Sequence, residues 1–380
     1  MKILHIGPDS QFIQFISKTF ELAAPGCNDY AVVSKRTNKS LGYEIPNGQV
    51  KVIESSVVGL FKIALLARRY DVIIAHSLTN QAVFALLLAP GKALTVWSGW
   101  GFDYYTDDVC ALLGEESKKL YKELSEGYKK EESVLKKALK KVFSKLKSIS
   151  VRKIDYFSAP IPNDFLILKE NYPQFCGEYI QLNYGSVEET FSLGGCSVTG
   201  ENILLGNSAS ITNNHIEAFE KIKKLASEEQ KIIVPLSYGD EKYRDTIIAK
   251  GKNCLDELFC PLIDFMSLDE YSKIVNSCSL IVMAHKRQQA LGNICAVMYS
   301  GARIILDEEN PAYQFFIERG AIVNSLNDIS NSLMLTPLSE SEISQNRKVI
   351  QEFWGAEKVN NNTKKLIENI QVKQQRQANK

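Results

Sequence analysis

The 380-residue sequence lacks most features that would mark it as secreted, metal-binding or membrane-spanning. Its eight cysteines stand singly, at Cys27, Cys110, Cys176, Cys196, Cys254, Cys260, Cys278 and Cys295. No C-x-x-C pair occurs, so neither a zinc site nor a disulfide framework is expected. Small apolar fillers in a reducing compartment are expected instead. There is no Asp-x-Asp, no Gly-Lys-Ser/Thr phosphate loop and no G-x-G-x-x-G fingerprint. No metal and no cofactor is therefore expected. The longest apolar stretch, Ala82 to Ala89, is far short of the roughly 20 residues that cross a bilayer. Met1 runs directly into the apolar KILHI, which predicts no signal peptide. The net charge of +1 makes no case for nucleic acid as a partner.

What is present is an α/β pattern. Short apolar runs typical of buried parallel strands occur at Ile3–Ile6, Tyr30–Val33, Val50–Ile53, Asp71–Ala75, Leu94–Trp97 and Tyr156–Ala159. The second half repeats them at Ile203–Gly206, Lys231–Pro235, Leu280–Ala284 and Ala302–Leu306. Helical stretches fall between, such as Phe12–Leu22 and Leu60–Arg69. Alternation of this kind predicts parallel sheets. A Gly- and Ser-rich stretch, Ser192 to Gly200, reads as a linker. The expected layout is a domain over 1–195 with a basic insert at about 110–150, a second over 196–345, and a closing helical region over 346–380 that could pack back on the first. Two Rossmann-like domains joined near the midpoint, with parallel sheets facing a central cleft, is the GT-B arrangement.

In the second half, Arg287, Gln288 and Gln289 precede a helix that starts at Leu291-Gly292-Asn293. Free N–H groups at a helix start beside an Arg suit an anion. The strand ending at Gly206 runs into Asn207 and Ser208, where glycine permits close approach and the side chains supply neutral donors. An ordinary turn capped by Asn accounts for these residues equally well. Tyr238, after Val234-Pro235, offers a ring for a base or sugar, or merely a turn. Glu309 and Asn310 occupy the turn after another strand, the end at which open α/β sheets bind ligands. The whole set suits a nucleoside-diphosphate sugar.

In the first half, Trp97-Ser-Gly-Trp100-Gly101-Phe-Asp103-Tyr-Tyr105 closes a strand with aromatic rings, glycines and one carboxylate. Rings bind the apolar faces of sugars and a carboxylate can take a hydroxyl proton. The same cluster also reads as a packed loop with Asp103 as a cap. His76 and Asp9 follow other strands, and the three are the acid/base candidates, in the order Asp103, His76, Asp9. Residues 117–153 hold 13 Lys/Arg against 4 Asp/Glu. Within them, apolar residues from Val134 to Ile149, Phe143 included, recur at helical spacing among Lys136, Lys137, Lys140 and Lys141. That cationic amphipathic helix reads as a ligand for an anionic membrane surface, or as a solvated helix packed on its own domain.

Several of these pieces, in order, resemble the bacterial 4-acetamido-4,6-dideoxygalactose transferases of glycosyltransferase family 56. They are Asp9, His76, Trp100-Gly101 with Asp103 and Tyr105, Ile203–Ser208 with Asn214–Ala218, Val234-Pro235 with Tyr238, Arg287–Gln289 with Gly292, and Glu309–Pro311. The resemblance implies a thymidine-diphosphate (TDP) amino-dideoxysugar donor and an undecaprenyl-diphosphate-linked saccharide acceptor, used for common antigen or O-antigen. Gly206, Asn207, Ser208, Tyr238, Arg287, Gln288, Gln289, Gly292, Asn293, Glu309 and Asn310 are expected at the donor. Trp97, Trp100, Gly101 and Tyr105 are expected at the acceptor. A cytoplasmic protein held peripherally on the inner membrane follows. Another nucleotide sugar, linked to UDP or GDP, or a binding module without catalysis, stays open at this stage.

Overall fold

A computed structural model describes the chain except residues 36–40, 42, 46–47, 107, 127–133, 191–196, 330–334 and 380. The side chains of residues 126, 134–137, 190 and 268 are likewise outside the description. The chain forms two compact units. Unit 1 is Met1–Tyr105, Glu132–Thr190 and Trp354–Lys380; unit 2 is Thr106–Glu131 and Phe191–Phe353.

The strands of unit 1 are β1 (Ile3–Pro8), β2 (Asn28–Ser34), β3 (Val50–Glu54), β4 (Val72–His76), β5 (Leu94–Ser98), β6 (Tyr156–Ser158) and β7 (Glu178–Tyr179). Those of unit 2 are β8 (Asn202–Leu205), β9 (Ile232–Pro235), β10 (Phe259–Leu262), β11 (Cys278–Met283), β12 (Arg303–Leu306) and β13 (Asn324–Ser325). The helices are α1 (Phe12–Ala23), α2 (Val57–Ala67), α3 (Asn80–Leu88), α4 (Glu115–Glu126), α5 (Val134–Val151), α6 (Asp164–Asn171) and α7 (Val187–Thr190). They continue as α8 (His215–Leu225), α9 (Glu241–Leu255), α10 (Leu268–Asn276), α11 (Leu291–Ser300), α12 (Pro311–Glu318), α13 (Glu340–Trp354) and α14 (Ala356–Ala378).

The sheet of unit 1 is ordered β3-β2-β1-β4-β5-β6-β7 and that of unit 2 β10-β9-β8-β11-β12-β13. Neighbouring strands pair in parallel, for example Ile3 with Asn28 and Val72, and Leu204 with Ile233 and Ile281. Each order reverses direction once, between β1 and β4 and between β8 and β11. Those two switch points are where an open α/β sheet leaves a crevice at its carboxyl ends.

The ten runs read as strands from sequence are all strands. All but β3, an exposed edge strand, lie inside their sheets, where burial on both faces makes a strand apolar. Three strands were not expected, and each is a sheet edge: β7, β10 and β13. β7 and β13 have only two residues each. β10 carries Pro261, which an edge tolerates.

Local signals set several helix ends. Ser56 caps α2 and Thr79 caps α3, each accepting from a backbone N–H of the first turn. Ser267 and Glu270 form a reciprocal capping box on α10. α11 stops at Gly301, whose φ of 98° is left-handed.

Two segments differ from the expected domain layout. Residues 106–126, read as an insert in the first domain, pack with unit 2. The Ser117 N–H and Oγ donate to the two oxygens of Glu217 at 2.8 and 2.6 Å. The Gly114 N–H donates to Asn214 Oδ1, and Asn214 Nδ2 donates to Leu112 O. Leu120 enters the apolar core of unit 2 beside Phe219 and Ile222. The closing helical region is also divided. α13 stays with unit 2, whereas Leu366, Ile367 and Ile370 of α14 share a core with Ile16 and Phe20 of α1. The expected linker at 192–200 lies largely outside the described residues.

Candidate active site

The loops that follow β8, β9 and β11 in unit 2 are laced together by polar side chains. Asn207 Nδ2 donates to Tyr238 Oη at 3.0 Å, and Gln289 Nε2 donates to Asn207 Oδ1 at 3.0 Å. Thr212 Oγ1 donates to Gln289 Oε1 at 2.8 Å. Backbone bonds from Ala209 to Tyr238 and from Asp240 to Ala209 close the seam. Lys286 pairs with Glu309 at 2.5 Å and so links the β11 and β12 loops. Ser208 and Gln288 are buried, while Arg287, Gly292 and Asn293 are half-buried at the start of α11.

Beneath these loops lies a neutral imidazole pair. Asn213 Nδ2 donates to Ser208 O and Oγ, which fixes its amide, so Asn213 Oδ1 can only accept. It takes the Asn207 N–H at 3.0 Å and the His285 Nε2–H at 2.8 Å. His285 Nδ1 is then a bare acceptor, buried and without a hydrogen-bond partner among the described residues. His215 Nδ1 meets Tyr243 Oη at 2.9 Å, and its Nε2 likewise has no such partner. Burial lowers both histidines to about 3, helped at His285 by the charge of Arg287. A Cβ on Gly206, whose φ is 70°, would lie 2.6 Å from His215 Nε2. Glycine is therefore dictated there by both backbone and space.

Asn310 is fully buried and caps α12, its Oδ1 taken by the Ala312 N–H at 3.0 Å. Its Nδ2 is buried with no hydrogen-bond partner among the described residues.

In unit 1 the structure rearranges the expected roles. Asp103 is buried and accepts the Leu78 N–H, the Trp97 Nε1–H and the Trp100 N–H at 2.8, 2.7 and 2.8 Å. Burial raises its pKa, and those donors and Lys147 oppose the rise. Both oxygens are committed to holding the loops after β4 and β5 together, which is the work of a loop organiser and not of an accessible base. His76 is also buried. Its Nε2 faces His5 Nδ1 at 3.0 Å, and burial beside His5 holds it well below the usual imidazole range. Asp9 alone of the three candidates is exposed, with the Ser34 hydroxyl donating to it at 3.1 Å.

Trp97 has no exposed surface and packs edge-on against Phe157, Tyr104 and Tyr172. Tyr105 is buried, with its hydroxyl on Asp164 at 3.0 Å. Gly101 is a buried turn residue. These three serve the core, and Trp100 is half-buried. Its ring meets Phe12 and Tyr184 at 5.6 and 5.4 Å between centroids. Tyr184 also meets His76 at 5.9 Å. Phe12 and Tyr184 are therefore the aromatic partners that the sequence reading missed, being remote from the Trp-Gly motif in the chain.

Of the basic helix, Lys140 and Lys141 are exposed, whereas the side chains of Lys136 and Lys137 are outside the described residues. Phe143 does not project freely. It is half-buried against Phe84 at 6.0 Å.

Residues 187–357 match the family model described as 4-alpha-L-fucosyltransferase, glycosyl transferase group 56. The chain is a glycosyltransferase, and its second half is similar to this group. Solved structures place the fold independently. Sucrose-phosphate synthase from Thermosynechococcus elongatus aligns with a TM-score of 0.69 and 8% identity, over 98% of this chain and 100% of that one. Anabaena HepE in complex with UDP-glucose aligns at 0.62 with 10% identity, over 97% and 100%. The lipopolysaccharide outer core galactosyltransferase WaaB aligns at 0.61 with 11% identity, over 97% and 99%. At such identities the likeness concerns fold, and the fold is GT-B. The family match covers β8 to α13 and so contains every loop of the unit 2 site.

In this glycosyltransferase, sequence reasoning named the Gly206, Tyr238, Arg287 and Glu309 loops from residue type and strand order, and each follows a strand of unit 2. It met Asn213 and His215 only as the turn and helix start after the Gly206 loop, gave them no role and did not name His285, because an isolated polar residue beside a strand carries no signal until the fold brings three together. Lys286 was overlooked in the shadow of Arg287.

Proposed function

We propose that this glycosyltransferase moves an amino-dideoxyhexose from a TDP-sugar to a saccharide linked to undecaprenyl diphosphate, in bacterial surface polysaccharide synthesis. The observation that carries the donor half is the cradle at the unit 2 switch point. Gly206 permits close approach, Arg287 supplies positive charge and the first turn of α11 offers N–H groups to the diphosphate. The bare Nδ1 of neutral His285 is an unfilled hydrogen-bond acceptor beneath this cradle. Tyr238 supplies a ring for base or sugar. The group 56 match favours a deoxyhexose donor, and the UDP-glucose bound by HepE supports a nucleotide sugar in this fold.

Unit 1 offers the acceptor half. Phe12, Trp100 and Tyr184 form an aromatic platform for a saccharide, with Asp9 at the neighbouring strand end. In the reaction the acceptor oxygen bonds to the anomeric carbon and the bond from that carbon to the diphosphate breaks. The nucleoside diphosphate leaves with its charge stabilised by Arg287 and backbone dipoles. In an inverting transfer Asp9 takes the hydroxyl proton. A lipid-linked acceptor places the enzyme on the cytoplasmic face of the inner membrane, where Lys140 and Lys141 face anionic headgroups.

The test is thermal stabilisation by TDP, UDP, GDP and their diphosphosugars without added metal. A ligand at about 100 times its Kd adds ~2.7 kcal/mol. A shift largest with TDP supports this reading. A larger shift with UDP or GDP moves the enzyme to another donor, and no shift with any nucleotide overturns the unit 2 assignment.

A further inference from the structure

The outer surface of α2, α3 and α5 in unit 1 is unusual in two respects. It exposes large apolar side chains, and its helices carry charge of one sign. On α2, Val57, Val58, Phe61 and Leu65 are 68, 59, 58 and 64% exposed. They lie at the spacing of one helical face. Leu88 at the end of α3 and Leu139 and Val142 on α5 are about half exposed. An aromatic ladder joins the three helices: Phe61 meets Phe84 at 6.3 Å, and Phe84 meets Phe143 at 6.0 Å. The three helices contain no Asp or Glu. Lys62, Lys140, Lys141 and Lys145 are exposed on α2 and α5.

Soluble proteins seldom leave so many neighbouring large apolar groups in water without a partner. Apolar groups beside lysines, with no acid among them, match the boundary of an anionic bilayer. There the acyl chains take the apolar side chains and the headgroup phosphates take the ammonium groups. Among the described residues no helix is long and apolar enough to cross a membrane, so contact of this kind is peripheral.

We infer that α2, α3 and α5 form a membrane-docking face in which Phe61 and Leu65 enter the lipid and Lys62, Lys140, Lys141 and Lys145 hold the anionic headgroups. The inference deepens the lipid-linked acceptor reading, because it says how the enzyme reaches such an acceptor. It assigns the entering edge to α2, a helix that the charge pattern alone passes over.

The test is flotation of the full chain with vesicles of phosphatidylglycerol and phosphatidylcholine in equal parts, without nucleotide or acceptor. Pure phosphatidylcholine vesicles are the control. Phe61→Ser with Leu65→Ser changes only exposed positions, and unaltered melting confirms the fold. Its partitioning falls by roughly tenfold or more. Lys140→Glu with Lys141→Glu falls by a similar factor on anionic vesicles only. In Phe61→Trp, brominated lipid quenches the added fluorescence. Wild-type flotation of the serine variant, or an unquenched Trp at position 61, overturns the proposal. So does a self-associating wild type that misses vesicles and becomes monomeric on Phe61→Ser, which would make this face an interface between copies. Nucleotide-induced melting shifts are unchanged in all these variants, so failure here is separable from failure of the donor assignment.

Discussion

Gln289 bridges the two loops that flank the switch point of the second sheet, donating to Asn207 at 3.0 Å while accepting from Thr212 at 2.8 Å. A single amide thus sets the distance between the Gly206 turn and the start of α11. Replacing it with Ala leaves Asn207 and Thr212 without their partner. The expected result is a stability loss of about 1 kcal/mol and a donor KM raised roughly tenfold at 1–2 kcal/mol of lost positioning. Steady-state kinetics and melting check it, and an unchanged KM contradicts the bridging role.

Asp103, the first acid/base candidate of the sequence, is buried, whereas Asp9, the third, is exposed. Asp9→Asn is expected to lower kcat by about 100-fold or more while leaving melting and nucleotide binding intact. Asp103→Asn turns an amide toward N–H donors and is expected to cost roughly 2–3 kcal/mol of stability. A stable Asp103→Asn with abolished turnover would restore Asp103 as the base.

Gly206→Ala forces a side chain into a left-handed turn, 2.6 Å from His215 Nε2. A loss of about 1–3 kcal/mol is expected, with nucleotide-induced stabilisation abolished. Melting with and without TDP measures both.

All four histidines are buried. Burial holds His5 at about 4 and His215 and His285 at about 3, against an unfolded value of about 6.5. The unfolded chain therefore binds protons first as pH falls. Stability is complete above pH ~6.5 and declines toward the folded values. At pH 5 each of the three contributes a loss of about 2 kcal/mol. Melting from pH 7 to 5 should fall steeply, and less so in His285→Gln. A flat profile contradicts the neutral burial of these rings.

Glu217 holds the segment 106–126 on unit 2 through both hydrogen bonds of Ser117. Glu217→Ala is expected to cost about 1–3 kcal/mol and to speed proteolytic cleavage within that segment. Unchanged cleavage would show that the apolar contacts of Leu120 suffice.

The central strands, the GT-B arrangement and the polar loops at the strand ends of unit 2 were legible because buried parallel strands must be apolar and connecting loops must follow them. Runs such as Ile3–Ile6 and Leu280–Ala284, and the glycine at 206, are local facts of the chain. Edge strands β7, β10 and β13 left no such mark, since an edge needs no continuous apolar run. Lys147 illustrates the limit for charge. It reads as part of a cationic stripe, yet its Nζ donates to Asp103 O at 2.9 Å and lies over the Tyr172 ring.

The sequence by itself determined two α/β domains, the order of the polar strand-end loops and a helix rich in lysine. Tertiary structure alone decided which polar groups remain available. It buried Asp103, Trp97 and Tyr105, left Asp9 exposed and Trp100 half-buried, gathered Asn213, His215 and His285, and set α3 between α2 and α5. Accessibility is a property of neighbours distant in the chain, and only packing brings those neighbours together.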